Sequence, residues 1–313
     1  MKRDIQRITV IGAGTMGHGI GQEFACAGHE VILYDLTEDK LGRAKKRIER
    51  NLAEKAGWGL ILADEIQPAL YRIQTTTSLK EAAGDADLVI EAVFEDLDLK
   101  RRLLRDLDHF CPERTILGSN TSSFMPSMLA SATERPDRVL VVHFSFPPPL
   151  IPLVEIVRSE ATADDVVEAV YDILKAAGKS PIVVQKEAVG FIINRIQAAI
   201  LREALSIVEQ GIATAQDVDI AVKESFGRRL AVAGPIEMIE MQNGWDVAWE
   251  IGRQIFPELD VSCEPPPVIQ EKIDRGELGF KTGKGFYEWT PESAEAWRKE
   301  LINALASFMR SQS

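Results

Sequence analysis

Short apolar runs alternate with longer amphipathic stretches over the first 186 residues of the chain. The apolar runs are rich in β-branched residues, which favours buried strands, and the stretches between them have helical periodicity. Strands are predicted over 8–11, 30–35, 87–93, 115–118, 138–142 and 153–157, and helices over 17–27, 37–56 and 99–110. Strands that alternate with helices predict an α/β domain with a parallel, doubly wound sheet.

The pattern changes near residue 186, after which few strand candidates remain. Long helical patterns follow at 191–210, 214–225 and 235–255. We therefore expect an α/β domain at 1–186 and an all-α C-terminal domain at 187–313.

A last helix is predicted after Thr290 and Pro291, because a capping residue followed by proline is typical of a helix start. Apolar residues recur there at helical spacing, namely Ala294, Trp297, Leu301, Leu305 and Phe308. We expect this face to pack on the rest of the chain or on a second subunit rather than to bind a ligand.

The composition is that of an ordinary globular protein, since 45% of the 313 residues are hydrophobic and 27% are charged. This excludes collagen-like, low-complexity and wholly disordered chains. The formal net charge is -12, with 36 Lys+Arg against 48 Asp+Glu. Partners such as nucleic acid or an anionic membrane are not expected, because affinity for phosphate requires neutralising cations.

The three cysteines, Cys26, Cys111 and Cys263, are far apart along the chain. They form no CxxC motif and no cluster with histidine, so neither a disulfide framework nor a metal site is expected. The first residues lead into a predicted strand without a signal-peptide pattern, and no apolar run reaches the roughly 18 residues that span a bilayer. The expected location is cytoplasmic.

A glycine motif follows the first predicted strand. Gly12, Gly14 and Gly17 match GxGxxG, with Thr15 and Met16 before the last glycine. Alone the motif is weak, because glycine turns also occur without ligands, but here a strand precedes it and a helix follows. In that context the glycines permit a tight turn, close approach of a pyrophosphate and close helix–strand packing. We therefore predict a dinucleotide site at the start of the helix.

Asp35 ends the second predicted strand. A carboxylate at this position accepts hydrogen bonds from the ribose 2′-hydroxyl of the adenosine and repels a 2′-phosphate, so NAD is expected over NADP. The alternative is a solvated aspartate at the start of the next helix.

Transfer of a hydride from an alcohol requires a base near the hydroxyl group. Of the four histidines, His18, His29, His109 and His143, only the last ends a predicted strand directly before a proline-rich bend. The chain then enters another strand-like run, and the bend can return Glu155 to His143 so that the carboxylate orients the imidazole. A structural histidine and a surface glutamate remain the alternatives.

Two further segments carry polar groups suited to a substrate. Residues 119–123 read Ser-Asn-Thr-Ser-Ser after a predicted strand, where loops of such sheets line the ligand crevice. Residues 190–195 open the helical region and include Asn194 and Arg195. A hydroxyl-rich helix cap and a helix-surface amide are the corresponding structural interpretations.

Together these segments resemble the L-3-hydroxyacyl-CoA dehydrogenase family over nearly the whole chain. The matching segments are 12–17, 91–95, 119–123, the run from His143, 190–195, 234–235 and 281–287. The resemblance implies a Rossmann-type, NAD-binding domain followed by a helical substrate and dimerisation domain. It implies a homodimer that reversibly oxidises a 3-hydroxyl group of a small-molecule substrate.

The resemblance also implies roles for individual residues. His143 matches the catalytic base, Glu155 its partner, and Ser122 and Asn194 the groups that hold the substrate oxygen. The positions that match NAD contacts are Asp35, Glu95, Lys100, Asn120 and Lys281, besides the glycine motif.

Two departures from the family concern the substrate. Phe146 stands where the family has an asparagine, and Trp58 stands where it has a lysine that binds CoA. Loss of a cation weakens the case for CoA, which carries several phosphate charges. Lys55 and Arg50 are candidates to compensate.

A third departure points to another branch. The segments around 151–155 and 227–231 resemble those of dehydrogenases that act on gulonate, carnitine and pyridine carboxylates. With such a substrate, Arg228 or Arg229 of this chain would bind the carboxylate. Two surface arginines are the alternative. An acyl-CoA is still the expected substrate, because such substrates are frequent in the family that the chain resembles, and a free hydroxy acid is the second hypothesis.

Two alternative functions do not use this histidine-based chemistry. One is an NAD-binding protein without catalysis, against which the set His143, Glu155, Ser122 and Asn194 argues. The other is the 6-phosphogluconate-like dehydrogenase group, which uses a lysine in its helical domain, and 190–195 offers no lysine.

Overall fold

The computed structural model describes residues 5–242 and 244–312, and in this part of the chain eight strands form one sheet. The strands are β1 (Arg7–Ile11), β2 (Glu30–Tyr34), β3 (Ile73–Thr76), β4 (Leu88–Glu91), β5 (Ile116–Ser119), β6 (Val139–Phe144), β7 (Leu153–Val157) and β8 (Ser180–Val184). Their order is β3-β2-β1-β4-β5-β6-β7-β8. All neighbours are parallel except β6 and β7.

Helices connect the parallel strands. They are α1 (Gly17–Cys26), α2 (Glu38–Gly57), α3 (Ile66–Tyr71), α4 (Leu79–Ala83), α5 (Leu97–Phe110), α6 (Pro126–Ala130) and α7 (Asp164–Ala176). Short 3-10 helices lie at Ala63–Glu65, Pro136–Arg138 and Phe256–Glu258. Central strand residues such as Ile8, Val10, Leu88 and Ile90 are fully buried, because helices cover both faces of a doubly wound sheet.

The rest of the chain is helical. The helices are α8 (Ile193–Glu209), α9 (Ala215–Glu224), α10 (Phe226–Leu230), α11 (Pro235–Gln242), α12 (Gly244–Ile255), α13 (Pro267–Asp274) and α14 (Pro291–Gln312). The predicted fold class, a Rossmann-type sheet followed by an all-α region, is confirmed. The helix predicted over 235–255 is instead two helices, because Gly244 adopts the left-handed conformation with φ of 75°.

The chain divides into two compact units. The first is Met1–Asn194 with Lys299–Ser313, and the second is Arg195–Arg298. The first unit contains the sheet and the apolar core. In the second unit, the rings of Phe280 and Trp289 meet edge to face at 4.3 Å, and Trp297 packs 5.5 Å from Phe280. No described helix is long and apolar enough to cross a lipid bilayer.

Three buried charges join distant parts of the first unit. Oε1 of Glu23, on α1, lies 2.9 Å from the ammonium nitrogen of Lys55 on α2. Its Oε2 lies 2.7 Å from the ammonium nitrogen of Lys179, next to β8. Lys179 also donates to the carbonyl oxygen of Pro148 at 2.6 Å, in the bend between β6 and β7. Burial lowers the pKa of Lys179, and Glu23 opposes that shift. Two desolvated ammonium groups therefore share one carboxylate as their counter-charge.

Glu23→Gln is expected to lower the free energy of unfolding by about 3–5 kcal/mol, because it leaves buried ammonium groups without a counter-charge. Urea denaturation followed by circular dichroism measures the loss. Glu49→Gln, an exposed position on α2, is the matched control and should change stability by less than about 0.5 kcal/mol. Equal effects of the two substitutions would contradict the role given to Glu23.

Candidate active site

The antiparallel pairing of β6 and β7 places His143 directly opposite Glu155. The connection between the strands is a short bend, whereas a parallel return needs a crossover of a dozen or more residues. His143 Nδ1 lies 2.8 Å from Glu155 Oε2, and the glutamate is 0% exposed. The predicted bend therefore brings this imidazole and carboxylate together.

Glu155 is held as an ionised acceptor. Burial raises the pKa of its carboxyl, but hydrogen bonds from His143 and from the N–H groups of Ile192 and Ile193 outweigh burial and lower it. The two N–H groups donate to Oε1 at 2.8 and 3.1 Å. Since a carboxylate can only accept, His143 carries its proton on Nδ1, and Nε2 of the neutral ring is left as an acceptor.

Ser122 and Asn194 lie beside this acceptor. Ser122 Oγ is 3.1 Å from His143 Nε2, in the geometry of a hydroxyl that donates to the ring. Asn194 Nδ2 donates to the backbone carbonyl of Ser122 at 3.3 Å. Thus all four residues predicted to act on the substrate lie together in the first unit. The arrangement can remove a proton from an alcohol and hold the resulting oxygen with polar groups.

The glycine motif forms an open cradle at the N-terminus of α1. Gly12 has φ of 100°, and a Cβ there would lie 2.7 Å from the carbonyl oxygen of Ala92. A Cβ on Gly17 would overlap the carbonyl oxygen of Gly12. A Cβ on Gly14 would meet no atom within 4 Å, so the backbone there faces open space. A pyrophosphate can therefore approach the free N–H groups of the helix.

Asp35 stands beside the cradle, just after β2. Its Oδ2 accepts from Ala13 N at 2.9 Å, and its Oδ1 accepts from Leu36 N at 2.7 Å and pairs with Lys40 at 3.1 Å. A cavity of about 480 Å³ is lined by this carboxylate and by residues of the glycine motif, including Thr15 and Met16. The open backbone and the carboxylate fit the pyrophosphate and the adenosine ribose of NAD.

His18 adds no fixed charge to the cradle. Burial lowers the pKa of its imidazole, the bond to Gly14 opposes this, and Arg47 and Arg50 lower it further. Its Nδ1–H donates to the carbonyl oxygen of Gly14 at 2.6 Å. The ring is therefore neutral at pH 7 and supports the loop through a hydrogen bond.

The other predicted NAD contacts are placed differently. Lys100 is 1% exposed, and its ammonium contacts Glu91 and Glu95 rather than the cavity. Asn120 Oδ1 accepts from the backbone N–H of Phe144 at 2.8 Å and so joins the ends of β5 and β6. Lys281 is exposed in the second unit.

Sequence reasoning did not assign a role to Glu91 or Lys40. Glu91 is fully buried at the end of β4. A glutamate within an apolar strand is unusual, and this could have indicated a buried, paired carboxylate. Lys40 follows Asp35 by one helical turn at the start of α2, which is where a cation can reach back to the strand end.

The residues singled out for substrate specificity belong to different elements. Phe146 is 64% exposed in the bend after β6, and Trp58 caps the C-terminus of α2. In the second unit Arg228 pairs with Glu224 on the preceding turn, and Arg229 is exposed. Among residues 5–242 and 244–312, no three histidine, cysteine or acidic side chains are grouped to hold a metal.

Comparison with family models covers both parts of the chain. Residues 7–188 match a model described as 3-hydroxyacyl-CoA dehydrogenase, NAD binding domain. Residues 190–289 match the model of the C-terminal domain of the same family. The two models together cover residues 7–188 and 190–289.

Individual relatives span most of the chain. Human mitochondrial hydroxyacyl-coenzyme A dehydrogenase is 35% identical over 302 residues, covering 91% of both chains. The 5-formyl-3-hydroxy-2-methylpyridine 4-carboxylate 5-dehydrogenase of Mesorhizobium japonicum is 31% identical and covers 98% of both. A solved structure of an enzyme of that description, called an NAD⁺-dependent dismutase, has a TM-score of 0.92 at 31% identity and 98% coverage of both chains.

The free energy of unfolding should depend less on pH in Glu155→Gln than in the wild type. The folded pKa of Glu155 is lowered, so its ionised form stabilises the fold above the ordinary value of 4.5. That contribution is lost as the pH falls through the folded pKa. Denaturation at pH 7, 5, 4 and 3 should therefore show a gap between the proteins that narrows below about pH 4.5. A constant gap would contradict the assignment.

Proposed function

Because the chain belongs to the 3-hydroxyacyl-CoA dehydrogenase family, we propose that it oxidises the 3-hydroxyl group of an L-3-hydroxyacyl-CoA reversibly, with His143 as the base. The protein is an NAD-dependent oxidoreductase that acts on CH–OH groups. The substrate and the residues that carry out the reaction are what we propose.

His143 Nε2 takes the proton of the substrate hydroxyl, because its lone pair faces Ser122 while Nδ1 is held by Glu155. Glu155 stabilises the imidazolium that forms. When bound, NAD would supply the acceptor for the hydride that leaves the carbon bearing this hydroxyl, and Asp35 and the glycine motif would hold it. In the opposite direction, protonated His143 donates to the 3-keto oxygen, and Ser122 and Asn194 hold that oxygen in place.

The observation that carries this proposal is the buried pair of His143 and Glu155. A carboxylate that is 0% exposed and bound to Nδ1 at 2.8 Å fixes both the tautomer and the direction of Nε2. The other ring nitrogen, Nε2, keeps its acceptor lone pair directed at the hydroxyl of Ser122. This geometry therefore favours catalysis over an NAD-binding protein without turnover.

Asp35 and the glycine cradle are proposed to bind NAD through its adenosine ribose and pyrophosphate. The carboxylate favours a free 2′-hydroxyl over a 2′-phosphate. Glu95, Lys100, Asn120 and Lys281 remain predicted contacts from the family resemblance.

A free hydroxy acid is the second candidate substrate, and three observations favour it. Lys55 is buried against Glu23, so it does not replace the missing cation at Trp58. Phe146 presents an exposed apolar ring in the bend that follows the base. The high TM-score to the pyridine-carboxylate enzyme extends over the whole chain. In this candidate Arg228 or Arg229 binds the carboxylate.

A homodimer formed through the helical part is included in the proposal. Apolar side chains of α12 are left exposed in the single chain, with Trp245 at 56%, Trp249 at 67% and Ile251 at 46%. Exposed apolar area of this kind marks interaction surfaces. We also propose that the NAD-binding domain ends at residue 186 and that the dimerisation domain begins at residue 187. The proposed location is cytoplasmic.

The substrate is tested by NADH formation with L-3-hydroxybutyryl-CoA, L-gulonate, L-carnitine and a hydroxymethyl pyridine carboxylate. We expect turnover of the thioester. No turnover of the thioester beside efficient oxidation of a free acid would replace the first candidate with the second.

His143→Ala is expected to lower kcat by about 10²- to 10⁴-fold, because general base catalysis is lost. The dissociation constant of NADH, measured by fluorescence titration, should stay unchanged. His109→Ala is the control and should retain full activity, since that histidine lies at the end of α5. Full activity of the His143 variant with every substrate would disprove the base assignment.

A further inference from the structure

The turn that carries Ser122 is held by one carboxylate oxygen. Glu95 Oε1 accepts from the backbone N–H of Ser122 at 3.0 Å and of Ser123 at 3.1 Å. It also accepts from the hydroxyl groups of Ser123 at 2.6 Å and Thr121 at 2.5 Å. The four donors belong to three consecutive residues, so this oxygen fixes both the backbone and the side chains of the turn.

The other oxygen of Glu95 is anchored to the sheet. Oε2 lies 3.3 Å from the ammonium of Lys100, which also pairs with Glu91 Oε1 at 2.7 Å. Glu91 Oε2 accepts from the hydroxyl of Ser119 at 2.5 Å. Glu91 and Ser119 are the last residues of β4 and β5, respectively. The carboxylate is thus fixed relative to two buried strand ends.

Glu95 is ionised at neutral pH. Burial raises the pKa of its carboxyl, but hydrogen bonds from Ser123 and Thr121 and the charge of Lys100 outweigh burial and hold the pKa below its ordinary value. An ionised oxygen can accept several short hydrogen bonds, and such bonds are stronger than those between neutral groups.

We propose that Glu95 is a positioning residue that clamps the turn of Thr121, Ser122 and Ser123 and so holds the Ser122 hydroxyl against His143 Nε2. The proposal rests on the proposed function, in which that hydroxyl holds the substrate oxygen. It adds a second role to the contact with NAD that the family resemblance implies, because Oε1 is committed to the turn.

Steady-state kinetics of Glu95→Gln test the proposal. The amide keeps the shape but loses the charge, and kcat should fall about 10- to 100-fold, as expected when hydrogen bonds to a charged group are weakened. The fall in kcat should be larger than any rise in the dissociation constant of NADH, because the clamp acts on the Ser122 turn. Glu95→Ala should lose more than Glu95→Gln, because the amide oxygen keeps part of the acceptor.

A double-mutant cycle shows whether Glu95 acts through Ser122. Once Ser122→Ala has removed the hydroxyl, adding Glu95→Gln should lower kcat little further. Glu81→Gln is the matched control, because Glu81 is also exposed and accepts from a threonine hydroxyl, that of Thr76 at 2.8 Å. Ser123→Ala is a milder variant that removes one donor and should lower kcat in the same direction.

Two results would overturn the proposal. One is an equal loss of kcat from Glu95→Gln in the wild type and in Ser122→Ala. The other is an NADH dissociation constant that rises tenfold or more at unchanged kcat, which would make Glu95 a cofactor contact.

A readout without turnover separates this proposal from the proposed function. The chain has four histidines, so the imidazole of His143 can be assigned in ¹⁵N NMR spectra by comparison with His143→Gln. Glu95→Gln and Ser122→Ala should shift the Nε2 resonance in the same direction, while Glu81→Gln leaves it in place. If no alcohol is oxidised, the proposed function fails, and an unshifted resonance in Glu95→Gln defeats the positioning role independently.

Discussion

The candidate site depends on a buried negative charge between a strand and a helix. Glu155 receives the imidazole of His143 on one oxygen and the N–H groups of Ile192 and Ile193 on the other. A carboxylate without exposure to water stays ionised only with such donors. Because Asn194 directly follows these two residues, the same charge that orients the proposed base also fixes the backbone at Asn194. The proposed base and the proposed substrate contact therefore share one support.

The second support is the change of direction after β6. A parallel sheet alone would bring only strand ends to one edge, whereas the bend sends β7 back beside β6 and pairs the middle of one strand with the other. The bend is also held by Lys179, which donates to the carbonyl oxygen of Pro148 and pairs with the carboxylate of Glu23. The chain around His143 is thus fixed by two charged groups, Glu155 and Lys179.

The local pattern of apolar and polar residues was enough to predict elements that are adjacent in sequence. The strand before Gly12 and the helix after it are adjacent in sequence, and His143 and Glu155 are separated by one short bend. β8 went unpredicted because Pro181 interrupts its apolar pattern, which suits an edge strand. The buried ion pair of Lys100 and Glu91 was not predicted either. Charged residues usually lie at the surface, and the neighbouring sequence does not show that two of them share a buried site.

The residues proposed to move the proton do not determine what the rest of the substrate is. A thioester and a free acid present the same CH–OH group to His143, so discrimination must come from charges elsewhere. CoA needs several cations for its phosphates, while a carboxylate needs one. Of the cations near the end of α2, Lys55 is already neutralised by Glu23, and Arg50 is exposed and lies 3.9 Å from Glu54. An exposed ion pair of this length contributes little, so Arg50 can exchange Glu54 for a phosphate at low cost, whereas Lys55 cannot leave Glu23. At the end of this helix, any affinity for CoA therefore rests on Arg50 rather than on Lys55.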